Sequence, residues 1–336
     1  MRLAQSWLAA VAILGMLAAS GSDAAPAKRH TPHALAPQAK AYSFALLPFP
    51  SSSAQASEGV VSPVQLQAQW QQQLQSLDEE KLAFVVVNGL KANGEPCSDS
   101  LFQQRKSFLD EMENGIVLSV AAQDWSECQK GDGSSNAIER LARLRELFFA
   151  DEFSLGNSKL EVARQSINPK FRNFPENARW QINGVLFATI NLPANNNRYR
   201  IEAGRNSEFE DRQVANRDWL KKLFAFANLN KHSALVLISD GNLMEEGYAR
   251  SGALRSAGSE RQRDGFADLQ QKFLKLAERY NGKILLIDHA ANSKAPPTIR
   301  WRGKIGLLSL PAQANNARYV IGVNPAKPQI FSIKVK

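Results

Sequence analysis

Short apolar runs recur along the chain, separated by polar stretches in which apolar residues return with helical period. The runs "YSFALLP", "LAFVVVNG", "GIVLSV", "GVLFATINL", "SALVLISD", "KILLIDH", "ARYVIGVN" and "IFSIKV" have the length and the β-branched and aromatic content of strands. The segments "SPVQLQAQWQQQLQSLDEE", "SDSLFQQRKSFLDEME", "NAIERLARLRELFF", "EFEDRQVANRDWLKKLFAFA" and "RQRDGFADLQQKFLKLAERY" predict helices, the first with Ser62 as its N-cap and Pro63 in its first turn. Alternation of the two kinds predicts βαβ units and a largely parallel sheet. The last two runs have no helix between them, so part of the sheet system should be antiparallel. The expected class is therefore α/β, with mixed β-sheets flanked by helices.

The N-terminus departs from this pattern. Arg2, an apolar run from Trp7 to Ala19 and the small residues of "SDAAP" read as a signal peptide over residues 1–24. The run is too short for a membrane anchor. Residues 25–40, "APAKRHTPHALAPQAK", carry no apolar period and suit a flexible leader that holds His30 and His33. Residues 41–336 then form one large α/β domain, with no further segment of transmembrane length. The expected location is secreted, in the periplasm. In that oxidising setting Cys97 and Cys128 pair by default, two buried thiols being the alternative. The formal charge of +9 favours contact with anionic material such as phosphorylated polymers or lipid head groups. No basic block or basic–aromatic stripe marks the chain for nucleic acid, which is not an expected partner.

In such folds ligands gather at the carboxyl ends of strands. Those positions are Pro48-Phe49-Pro50, Asn88-Gly89, Ala121-Ala122-Gln123, Ser239-Asp240, and Asp288-His289 followed by Ala290-Ala291-Asn292. The blocks "VVVNGLKANGEPCSDSLFQQRKSFLDEM", "QDWSEC", "ERLARLRELFFADEFSLG", "FPENARWQINGVLFATINLPANNN" and "ANRDWLKKLFAFA" follow one another in an order that resembles a secreted bacterial branch of the calcineurin-like metallophosphoesterases. The resemblance runs from about Ser43 to Asp288 and implies that family's α/β sandwich.

It also implies two divalent metals, about 3.5 to 4 Å apart, that activate a water and hold phosphoryl oxygens. Such cations need carboxylates and imidazoles to replace their hydration. The family carries an Asp after the first strand, Gly-Asp after the second, Gly-Asp-Asn-Glu-Trp-Thr-Asp-Cys after the third and His-Gly-Asp-x-His in the last loop. Here Phe49 stands for the first Asp, Asn88-Gly89 for Gly-Asp, and Ala121-Ala122 for the third loop's Gly-Asp. Asp124, Trp125 and Cys128 keep their places, while Asp288-His289 retains one imidazole and lacks the following Asp and His.

Only His232 and His289 remain outside the leader, and His232 is expected at the surface ahead of a strand. A metal pair is therefore not an expected cofactor. The remaining candidates are Asp124, Asp240 and His289 as catalytic groups and, with Asp288, as ligands of one weakly held metal. Asn195 and Asn196 of "PANNN" are candidates to donate amide hydrogens to a phosphate, an ordinary polar turn being the alternative. Glu176, Asn177, Arg179 and Trp180 are read as fold-holding, "GDGSSN" as a turn before a helix capped by Asn136, and "SSSAQAS" as a loop. The expectation is a secreted, catalytically impaired phosphoesterase-fold protein that binds an anionic ligand or an envelope partner. The alternative is an active phosphoesterase with a remodelled, mononuclear site.

Overall fold

The computed structural model describes residues 40–49, 62–92, 94–201, 204, 206–244, 264–291, 296–311 and 317–336. The signal peptide, nearly all of the leader, the serine loop at 51–57 and Asn292 lie outside them. Residues Ala39–Lys336 form one unit.

The described residues build two mixed sheets. The first contains β1 (Tyr42–Pro48), β2 (Val85–Asn88), β3 (Ile116–Ser119), β11 (Tyr319–Val323) and β12 (Phe331–Val335), in the order β12-β11-β1-β2-β3. Strands β1, β2 and β3 are parallel, and β11 and β12 add antiparallel at the far side. The second contains β4 (Ala163–Arg164), β5 (Ala178–Ile182), β6 (Val185–Thr189), β7 (Ala234–Ile238), β8 (Lys283–Ala291), β9 (Arg300–Arg302) and β10 (Ile305–Pro311), in the order β4-β5-β6-β7-β8-β10-β9. Its centre, β6-β7-β8-β10, is parallel.

Period-two alternation sorts the side chains into layers. Phe44 and Leu46 of β1, Phe84 and Val86 around β2, Phe187 of β6 and Val236 of β7 fill a core shared by both sheets. Phe84, Trp180 and Phe187 form an aromatic cluster there, with ring centroids 5.0–5.7 Å apart. The alternate residues face helices. Ala45, Leu47, Val85 and Val87 meet α1 (Pro63–Asp78), α2 (Asp99–Asp110) and α4 (Ala137–Phe148). Leu186, Leu235 and Leu286 meet α5 (Ser207–Leu229) and α6 (Ala267–Glu278). The result is a helix–sheet–sheet–helix sandwich. Strands buried on both faces read as continuous apolar runs, which is why "VVV" and "LVLI" stand out in the sequence.

Ser62 caps α1 as expected: its hydroxyl accepts from the Gln65 amide, and the Gln65 side chain accepts from the Ser62 amide. Asn136 stands at the N-cap of α4, but its side chain makes no capping bond. His232 is a correction to the surface position expected for it. It is 6 % exposed, stacked on Phe226, with Nε2 2.9 Å from Gln181 Oε1. A half-apolar imidazole placed just before a buried strand is drawn under the neighbouring helix end. Glu176 does hold the fold, but through Arg145, whose Nε donates to Oε2 at 2.9 Å, while Arg179 lies over the Phe226 ring. Among the described residues no helix is long and apolar enough to cross a membrane.

Candidate functional site

The carboxyl ends of β1, β2 and β3 meet those of β6, β7 and β8 along one edge of the sandwich. After β3 the chain enters a short helix, α3 (Ala122–Trp125), whose Trp125 is fully buried. Cys97 and Cys128 form a disulfide that ties the segment after β2 to the end of this helix.

At the tip of β2, Gly89 has φ +79°, and a Cβ there would stand 3.3 Å from Ala121 Cβ, 3.4 Å from Phe49 Cβ and 3.0 Å from Gln123 Nε2. Two of the positions where the family resemblance asks for metal ligands, Phe49 and Gly89, are thus in near contact, and they carry a benzyl group and no side chain, with the methyl of Ala121 beside them. The Phe49 ring turns inward onto Trp70 and under the Arg105 guanidinium.

Two of the three candidate carboxylates, Asp124 and Asp240, are engaged by the main chain. Asp124, fully buried, accepts from the Leu90 amide at Oδ1 and from the Ala121 amide at Oδ2, both at 2.8 Å, so it clips the β2 loop to the β3 loop. Asp240 Oδ2 accepts from the Ala122 and Ala194 amides, again at 2.8 Å, and joins the loop after β3 to that after β6. Burial pushes the Asp124 carboxyl up to about 6, against the pull of its amide donors and Lys91. Burial likewise pushes Asp240 up to about 7, with the nearby Asp124 adding to the rise.

His289 is 5 % exposed, with Nδ1 3.2 Å from the Ser239 carbonyl. A carbonyl only accepts, so Nδ1 carries the proton and the Nε2 lone pair is left without a protein partner. Burial lowers its pKa to about 4 and keeps the ring neutral. Asp288 Oδ2 accepts from Ser309 Oγ at 2.8 Å. The structure thus joins Asp240 to the Asp124 loop, whereas Asp288 is held by β10. Among the described residues no three His, Cys, Asp or Glu side chains gather closely enough to hold a metal ion. The donor set does not fit a dinuclear centre: the Asp124 and Asp240 oxygens are bonded by backbone N–H groups whose positive ends oppose a cation, and one imidazole cannot replace its hydration.

Beside this cleft lies a groove of about 1110 Å³ bordered by Ser126, Lys130, Asn136, Asn195, Arg198 and Arg200. Asn195 Nδ2 donates to Ser126 Oγ at 2.9 Å, while its Oδ1 is buried without a partner. Asn196 turns away from the groove and accepts from the Gly265 amide at 2.8 Å, so of the two Asn candidates only Asn195 faces it.

Asn196, Asn197 and Arg198 have φ of 52°, 53° and 55°, three successive left-handed residues without a glycine. The cost, roughly 1–2 kcal/mol for an ordinary residue, falls mainly on Arg198, since Asn enters this region readily. Neighbours hold the turn in place. Arg212, fully buried, donates to the Asn197 side chain and to its carbonyl at 3.0 Å, and Asn197 Nδ2 donates to the Gly265 carbonyl at 2.9 Å. Gly265 has no room for a Cβ, which would sit 2.3 Å from the Asn196 carbonyl oxygen.

Sequence reasoning named Asn195 but not Arg198. The signal was the Asn run itself, since Asn is the residue type most at ease in the left-handed region after glycine.

Neither the scan against protein-family models nor the search of curated proteins finds a match to this chain.

Proposed function

We propose that this protein is an exported relative of the calcineurin-like phosphoesterases that has lost the metal pair and works by binding an anionic ligand or an envelope partner. The mixed sheets flanked by helices, and the cleft where their parallel strands end, support the fold assignment. The observation that carries the functional reading is the engagement of the cleft carboxylates. Asp124 and Asp240 between them accept four backbone amides. A carboxylate used in this way holds loops together, and it offers little to a cation or to an attacking water. Phe49, Gly89 and Ala122, where the resemblance asks for carboxylates, offer none. The basic balance of the chain, +9, favours an anionic ligand.

The test is elemental analysis of the purified protein together with hydrolysis of p-nitrophenyl phosphate and bis-p-nitrophenyl phosphate in added Mn²⁺, Fe²⁺ or Zn²⁺. The expected result is no stoichiometric metal pair and no turnover above that of a heat-inactivated sample. Two firmly held metals per chain, or turnover that falls in Asp240→Asn or His289→Ala, would overturn the proposal in favour of an enzyme.

A further inference from the structure

The positive charge of the chain is unevenly placed. Residues 289–336 carry eight Lys or Arg and no Asp or Glu, which leaves a balance of one positive charge for the 288 residues before them. The fold gathers part of this excess, with cations from other elements, at the end of the second sheet opposite the cleft, where β7, β8 and β10 begin. The segments 229–234, 278–283 and 299–305 meet there: the Lys283 amide donates to the Ser233 carbonyl at 2.9 Å, and the Ile284 amide to the Lys304 carbonyl at 2.9 Å. Between them the three segments hold six cations, Lys231, Arg279, Lys283, Arg300, Arg302 and Lys304, and one acid, Glu278.

Uncharged groups place two of these cations. Lys304 Nζ donates to the Glu278 and Tyr280 carbonyls, where a positive charge suits the end of α6. Lys283 lies over the Trp301 ring, 5.3 Å from its centroid, and Trp301 stacks in turn on Phe331. Lys231, Arg279 and Arg300 are exposed. One carboxylate cannot neutralise six cations, so this end of the domain presents a net positive surface.

Two further observations bear on what covers it. Leu229, the last residue of α5, is 81 % exposed and stands two residues before Lys231. The chain also enters the domain here. Asn183 Nδ2 donates to the Lys40 carbonyl at 3.0 Å, and its neighbour Gly184 accepts from the Ser233 amide at 2.9 Å, so Lys40 adds a seventh cation to the same end. Loops laced side by side in this way suit an extended anionic partner. A soluble polyanion has no apolar phase to receive Leu229, whereas a bilayer interface receives both the cations and the apolar side chain.

We infer that this end of the domain docks on an anionic lipid surface, with the cations among the headgroup phosphates and Leu229 at the acyl boundary. The surface is distinct from the cleft, which lies at the other end of the same strands and faces away from the lipid when the protein is docked.

Vesicle co-sedimentation tests it, with phosphatidylcholine alone and with phosphatidylcholine carrying one third phosphatidylglycerol, beside titration calorimetry with soluble polyphosphate. The wild type is compared with the triple variant Lys231→Gln, Arg279→Gln and Arg300→Gln and with the single variant Leu229→Ser, the melting temperature of each being measured alongside. A control removes the same charge elsewhere, through Lys106→Gln, Lys130→Gln and Arg143→Gln, three cations that pair with acids. The wild type should bind the anionic vesicles at least ten-fold tighter than the neutral ones, and salt at about 0.5 M should release it. The triple variant should bind them at least ten-fold more weakly, and the control as the wild type does. Leu229→Ser should weaken vesicle binding several-fold and leave polyphosphate binding unchanged; at 81 % exposure it decides the matter if the triple variant fails to fold. Equal binding of the wild type to both kinds of vesicle, or equal losses in the triple variant and the control, overturns the inference. Leu229→Ser matching the wild type on vesicles, with polyphosphate bound as tightly as they are, overturns it in favour of a soluble polyanion. Metal content and ester hydrolysis enter none of these readouts, so the reading of the cleft stands or falls separately.

Discussion

Replacing Asp240 by Asn isolates the cost of burying a carboxylate that has two amide donors and no cation. The Asn side-chain oxygen can accept from the same Ala122 and Ala194 amides, so the link between the loops is retained while the charge is removed. In the folded protein the carboxyl titrates at about 7, against 3.8 when unfolded. A folded-state pKa above the unfolded one means that folding takes up a proton between those values. The contribution is therefore fully present below pH 3.8 and is lost as pH rises through about 7. The full span corresponds to about 4 kcal/mol, of which roughly 3 kcal/mol falls between pH 5 and 8.5. His289 acts in the opposite direction: its pKa is lowered from 6.5 to about 4, so its share is present above 6.5 and lost as pH falls. It is common to both proteins, and the difference between them removes it. Urea denaturation followed by tryptophan fluorescence at several pH values should show Asp240→Asn gaining on the wild type by about 3 kcal/mol from pH 5 to 8.5. Parallel profiles would refute the reasoning. They would mean that Asp240 stays ionised throughout, as a carboxylate beside a bound cation does.

Three further outcomes follow from the same packing. Converting Cys97 and Cys128 to Ser opens a link spanning 31 residues, and equilibrium denaturation should show a loss of roughly 3–4 kcal/mol, with reductant having no added effect on the variant. Gly89→Ala places a Cβ at φ +79° against Ala121, Phe49 and Gln123, and should lower stability by about 1–3 kcal/mol in the same assay. Arg145→Met leaves Glu176, whose side chain is 1 % exposed, with Asn191 as its remaining side-chain donor; the expected cost is about 3 kcal/mol, partly restored by adding Glu176→Gln.

The sandwich was largely legible in the apolar runs. β1 occupies Tyr42–Pro48, the span of "YSFALLP", and the two-sided burial of β2 and β7 explains why their runs are unbroken. The strands that escaped notice are those whose pattern is interrupted. In β5, Arg179 and Gln181 alternate with Ala178 and Trp180, and the polar half conceals the apolar half. β10 carries Gly306 and ends in Pro311, and it joins β8 in parallel after the short antiparallel β9 instead of after a helix.

The cleft shows a similar division. Adjacent strand ends follow from parallel topology, so the nearness of Phe49, Gly89 and Ala121 could be expected. The partners of Asp124 and Asp240 could not, because they are main-chain N–H groups that every residue carries. His232 went astray for a related reason, since nothing local announces that Phe226 and Gln181 will cover it.

β1, the first strand of the domain, lies between β2 and β11 and pairs Tyr42 with Val323. One of its two hydrogen-bonding edges waits for residues that follow far later in the chain, Tyr319–Val323. The first sheet therefore cannot close until β11 has been made, and closing so long a loop delays folding. Deleting β11 and β12 would leave β1 as a bare edge.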